Sequence, residues 1–287
     1  MKITNTLDKI KTVYKNGEFN FNKWEEYVNS IYPNFAQLFI EDMNQTLKTG
    51  LFSYEKDYLP LLNAVSRKTK AMEQALNSFN KATDNLERKI IERFGKSIDV
   101  EIIFYLGLLN GAGWVLDYNN KTLCLLGIEK IIELDWCDEK SMIGLIYHEL
   151  GHVYQGQYGV LEREFESRKE RFLWQLFTEG IANYFEQILV GDFEYYHCGD
   201  KEWKIWCDYN LDRIKKEFYN DLPQMTFENQ RYFGDWVFYE NHSDVGYYLG
   251  TKFVQFICIN KNFNEILSLD IKTVTILYEK FLNEKTV

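Results

Sequence analysis

Residues 145–154 read Leu-Ile-Tyr-His-Glu-Leu-Gly-His-Val-Tyr, and this stretch limits what the chain can be. Residues four apart share one face of a helix. His148 and His152 therefore aim two imidazoles at one place, and Glu149 stands beside the first. No other charged residue occurs between Leu145 and Tyr154, where a surface helix would show Lys or Glu. Burying Glu149 with nothing positive nearby would be costly, and a metal ion removes that cost. Two His ligands and one carboxylate make a zinc site with a fourth position open to water. Zinc makes such a water more acidic and polarises a carbonyl, which leaves Glu149 as general base.

Two histidines do not complete the site. A third histidine six residues beyond His152 is excluded, because Gln155 and Tyr158 stand where that extension needs Gly and His. The remaining arrangement takes a Glu from a second, downstream helix. Glu162, Glu164, Glu166 and Glu170 lie in a run that alternates charge sign, as a solvated surface does. Glu179 differs. It is the only charge among residues 172–185, an aromatic and apolar stretch. An isolated acid there needs a partner, and a metal is a good one. Asn183, one turn on, is suited to accept a hydrogen bond from a ligating His.

These residues resemble the gluzincin metallopeptidases, which include thermolysin-like and aminopeptidase N-like enzymes. His148-Glu149-x-x-His152 is followed by Glu179-Gly180-Ile181-Ala182 in an aromatic helix. Residues 177–185 are similar to the second-ligand helix of the aminopeptidases. Gly246-Tyr247-Tyr248-Leu249-Gly250 supplies a third piece, because those enzymes carry a Tyr three residues before a Gly as oxyanion donor. That role falls on Tyr247, with Tyr248 and His242 as alternatives. Order and size look most like small bacterial predicted zinc-dependent proteases. Two departures stand out. The gap of 26 residues between His152 and Glu179 exceeds that of aminopeptidases, and Asn183 stands where thermolysin-like enzymes have Asp.

The resemblance implies an α+β, mostly helical protein with a zincin-like core. A small mixed β-sheet precedes the zinc helix, and further helices flank it. The resemblance covers roughly residues 100–260 and places the catalytic core over 97–260; the residue pattern adds a helical region over 1–96 and a helical segment over 261–287 packed on the core. The resemblance implies one zinc ion per chain, held by His148, His152 and Glu179. The reaction is hydrolysis of a peptide or protein substrate, with Glu149 as base. The alternatives are a non-catalytic metalloprotein that binds a partner in its cleft, and a metallohydrolase of non-peptide amides. An edge strand of the sheet is expected to lie along the cleft and accept an extended substrate.

The rest of the chain fits around this stretch. A net charge of −10 argues against nucleic acid and anionic membranes as partners. The 5 cysteines, an odd number without close pairs, suit reduced thiols and a cytoplasmic protein. No signal-like segment opens the chain, and the longest apolar run is too short for a bilayer. Residues 1–95 read as helical, with patterns over 21–43 and 58–94. Residues 100–106 read as a buried strand, and 111–118 with 122–126 as a hairpin turning at Asn119-Asn120. Asp138 caps the zinc helix at about 139–156. The helix bearing Glu179 stops near Gly191, and Glu186 shares a similar face with Glu179. His197 falls in a loop and reads as surface. Further helices are expected over 202–220, from Ser243 or Asp244 through Cys258, and over 271–282. Residues 222–241 are loop-rich and aromatic, suited to wall a cleft.

Overall fold

The computed structural model describes residues 1–234 and 236–284. Residues 285–287, the end of the expected C-terminal helical segment, lie outside the described residues. The chain is α+β and mostly helical, with a small mixed sheet. It divides into two compact units, Met1–Ile146 and Tyr147–Val287. No described helix is long and apolar enough to cross a membrane.

The first unit is built on the sheet. Its strands are β1 (Lys2–Asn5), β4 (Glu101–Tyr105), β5 (Gly113–Tyr118) and β6 (Lys121–Gly127), in the order β1-β4-β6-β5. A separate small hairpin joins β2 (Tyr14–Lys15) to β3 (Glu18–Phe19). β4 runs parallel to both neighbours, with Ile102 opposite Ile3 on one side and Cys124 on the other. A central parallel strand is covered on both faces, so β4 is apolar throughout except for Glu101. That carboxylate accepts from Lys2, Thr4 and Tyr32 and so ties β1 to β4. β5 is an edge strand, antiparallel to β6. Asn119 and Asn120, at φ 50° and 60°, make the two-residue turn between them.

Helices α1 (Phe21–Asn29), α2 (Phe35–Lys48), α3 (Leu59–Val65), α4 (Thr69–Thr83), α5 (Leu86–Phe94) and α6 (Ile128–Glu133) complete this unit. The two long helical patterns expected before residue 95 are therefore broken. Pro33 disfavours helix at Tyr32, and Asn34 takes φ 61°. Asp84 is extended and Asn85 takes φ 53°, which ends α4 and turns the chain into α5. The opening residues, expected to be helical, supply β1 instead. α7 (Glu139–Tyr158) begins in this unit. Asp138 caps it, accepting from the Ser141 N–H at 3.1 Å and the Ser141 hydroxyl at 2.6 Å.

Glu129, on α6, is a buried acid with a structural task. Its carboxylate accepts from the Gly107 N–H at 2.8 Å and the Leu109 N–H at 3.1 Å. Burial raises its pKa to about 7, against the pull of those two donors. The folded chain thus holds this proton more tightly than the unfolded chain does. The resulting stabilisation is fully present below the unfolded value near 4.5 and is lost as pH rises through about 7. The change amounts to about 3 kcal/mol. Glu129→Gln, which cannot ionise, should flatten the fall in urea-unfolding free energy between those limits. An identical slope in both proteins would show that Glu129 does not set it.

The second unit is helical: α8 (Arg168–Val190), α9 (Lys201–Asp221), α10 (Val245–Cys258), α11 (Phe263–Ile266) and α12 (Ile271–Asn283). α8 is its centre and packs chiefly on α10, and also on α12. Apolar residues surround α8, and Leu173, Leu176, Phe177, Ile181, Ala182 and Phe185 are all fully buried. Gly191, left-handed at φ 83°, ends the helix as the sequence suggests.

Candidate metal centre

His148 and His152 lie one turn apart on α7, their ring centroids 4.9 Å apart and nearly perpendicular. Gly151 lets α7 come down on α8, since a Cβ there would stand 2.6 Å from the Ala182 Cα. That approach brings Glu179 of α8 within reach. Its Oε2 lies 3.1 Å from His148 Nε2 and 3.4 Å from His152 Nε2, and the two nitrogens are 3.2 Å apart. Three ligand atoms from two helices thus form a triangle. A tetrahedral ion with bonds of about 2.0–2.1 Å needs ligand atoms about 3.3–3.4 Å apart. The donor set fits such an ion. Among the described residues, this group has three members, His148, His152 and Glu179.

Hydrogen bonds orient the candidate ligands. Asn183 Nδ2 donates to the Tyr247 main-chain oxygen at 3.3 Å, so its Oδ1 faces His148. An amide oxygen only accepts, so His148 Nδ1 carries the proton and donates to it at 3.1 Å. Once the second proton leaves, the Nε2 lone pair faces His152 and Glu179. Without a cation, electrostatics favour that second proton. Burial works against a charged His148, yet the Glu179 carboxylate outweighs it and holds the imidazole up at about 9. Burial likewise raises Glu179, but His152 and His148 pull it far below the ordinary carboxylate range. The cluster attracts a cation, and a metal ion must displace the His148 proton to bind. Metal affinity should therefore rise with pH up to about 9, by about tenfold per unit near neutrality.

Glu149 is 8% exposed, and burial raises its carboxyl although His148 and His152 oppose the shift. Tyr247 stands in the first turn of α10 with its ring 5.8 Å from that of His148. Burial, and then the Glu179 carboxylate, push its phenol well above the usual value, so it remains a donor. Tyr248 faces elsewhere and donates to Asp208 at 2.6 Å. His242 stacks on Trp206 at 3.8 Å. Glu162, Glu164 and Glu166 are exposed, and Glu170 accepts from the Glu166 N–H.

One residue of the centre was not visible as such in the sequence. The His197 side chain is 7% exposed, not on the surface, and its ring lies 5.6 Å from that of His148. Its Nδ1 meets both oxygens of the buried Glu186 at 3.0 Å. The signal was Glu186 itself, an acid on the buried face of α8 that needs a partner. The turn at Gly191 brings residue 197 back against it.

Glu179→Ala should lower metal affinity by more than about 100-fold, and Asn183→Ala by about 10–100-fold. Competition with a chromogenic chelator measures both. Unchanged affinity in Glu179→Ala would remove it from the ligand set. Protein-family models, curated proteins and solved structures were compared with the chain, and none matches it.

Proposed function

We propose that the chain is a zinc metallopeptidase of the gluzincin kind, with a zincin-like core around α7 and α8. His148, His152 and Glu179 would hold the ion. The observation that carries this reading is the triangle of three candidate ligand atoms beside a buried Glu149. A zinc ion bound there supplies a positive centre that polarises the substrate carbonyl and makes the attacking water more acidic. Glu149 takes the proton from that water and passes it to the leaving amine. Asn183 keeps the His148 proton on the far nitrogen. Tyr247 donates to the carbonyl oxygen as negative charge gathers there. His197, braced by Glu186, closes the polar shell around His148.

A non-catalytic metal centre is less well supported. It has no use for Glu149, and the ligand group has three members among the described residues. The 5 cysteines, none of them in a disulfide, suit the reducing compartment of a cytoplasmic protein. The deciding experiment incubates the zinc-loaded protein with a mixed peptide library and a panel of non-peptide amides, with and without chelator. Mapped peptide products that vanish with chelator support the reading. Hydrolysis of the amides alone would move the substrate class, and no zinc-dependent product from either would end the proposal.

Tyr247→Phe separates a donor from a packing ring. The hydroxyl is lost while the ring contacts remain. Turnover should fall by about 10²–10³-fold with a smaller change in KM and unchanged metal content. A matched loss in Tyr248→Phe, with Tyr247→Phe normal, would move the role by one residue.

A further inference from the structure

The segment between α9 and α10 leaves three aromatic side chains in solvent: Phe227 at 68%, Trp236 at 59% and Phe238 at 58% exposed. Exposed apolar surface is unfavourable relative to burial. Contiguous patches of it mark binding surfaces. Two of these rings are neighbours, with the Trp236 centroid 6.4 Å from that of Phe227.

The described residues of the segment are tied to one another and to α9. Gln230, 6% exposed, accepts from the Tyr232 and Phe233 N–H groups at 2.9 Å each. Its amide nitrogen donates to the Phe233 carbonyl at 2.7 Å. The Trp236 indole lies over Gly234, where a Cβ would stand 2.6 Å from the ring and φ is +107°. Only glycine seats the indole there. Arg213 pairs with Glu240 and holds the far end of the segment to α9.

The same segment reaches the metal centre. Phe233 lies over Gly246, where a Cβ would stand 2.5 Å from the ring. Its centroid is 5.8 Å from Tyr247, and Tyr247 is 5.8 Å from His148. A continuous line of rings therefore runs from the ligand His148 to the loop that exposes Trp236. Around the centre itself stand the carboxylates of Glu149, Glu179 and Glu186, which oppose an acidic occupant.

We propose that Phe227, Trp236 and Phe238 form the surface on which a bulky apolar side chain of the peptide substrate rests, aromatic side chains foremost. The inference rests on reading the centre as a peptidase. It makes the aromatic segment a specificity element, one that acts on which peptide binds and not on the bond-breaking step.

The test uses two fluorogenic peptides that differ by one residue, Phe against Ala, scanned along the peptide. The intact protein should favour Phe at one position. Trp236→Ala and Phe238→Ala should each reduce that preference in kcat/KM by about tenfold, through KM. Both positions are exposed, so folding is not at stake. Tyr209→Ala, an exposed ring on α9, is the control and should leave the preference alone. Anisotropy with the same labelled peptides bound to zinc-loaded Glu149→Gln protein reads the preference without hydrolysis. A Phe preference in binding that Trp236→Ala weakens about tenfold supports the inference, even if no peptide is cleaved and the peptidase reading falls. Equal binding of the Phe and Ala peptides, or a preference that survives both Trp236→Ala and Phe238→Ala, overturns it.

Discussion

Glu149→Gln should fold normally, keep its metal, and lose peptide hydrolysis by about 10²–10⁴-fold. The proposed ligand atoms belong to His148, His152 and Glu179, so the exchange leaves that triangle intact. Gln has the volume of Glu, and the side chain is almost wholly buried, so packing is kept. Burial already penalises the Glu149 carboxylate and raises its pKa. A neutral amide in that place should leave the melting temperature unchanged or slightly higher. What the amide cannot do is accept a proton. The measurements are metal content, thermal unfolding and single-turnover hydrolysis of one peptide. A metal-loaded Glu149→Gln protein with normal single-turnover rates would sink the proposed role of the base.

Much of the centre could be read because helical spacing is local. His148 and His152 are one turn apart in any α-helix, and α7 runs Glu139–Tyr158 with Asp138 as its cap. Glu179 stood out because a lone acid in an apolar helix needs a partner, and it faces both histidines. Asn183 followed from the same helix, one turn on, and it accepts from His148. Long-range pairing was hidden. Nothing in Lys2–Asn5 announces that its partner is β4, a strand nearly a hundred residues later. The helix breaks at Asn34 and Asn85 depend on single residues in left-handed conformation, which periodic patterns pass over. His197 was misplaced because a loop residue's burial depends on where the chain returns after Gly191, and pattern carries no record of that return.

Gly250→Ala should destabilise the chain by at least about 3 kcal/mol, more than a core methyl group in excess commonly does. α8 and α10 meet backbone to backbone. A Cβ on Gly250 would stand 2.4 Å from the Leu176 carbonyl oxygen and 3.0 Å from the Gly180 nitrogen. A Cβ on Gly180 would stand 2.2 Å from the Gly250 oxygen. Main-chain atoms cannot swing aside as a side chain can, so the helices must part. Parting them also disturbs the centre. Glu179 precedes Gly180 on α8, Tyr247 stands three residues before Gly250 on α10, and the Asn183 bond to the Tyr247 carbonyl spans the seam at 3.3 Å. Lost stability should therefore come with lost turnover. Gly156→Ala is the matched control on α7. A Cβ there meets only the Leu161 side chain at 3.7 Å, an ordinary contact. Replacing that helical glycine should stabilise by about 0.5–1 kcal/mol and leave turnover alone. Urea unfolding of both variants gives the comparison. If Gly250→Ala is as stable as Gly156→Ala, the close seam between α8 and α10 does not hold the ligand helix and the Tyr247 helix in register.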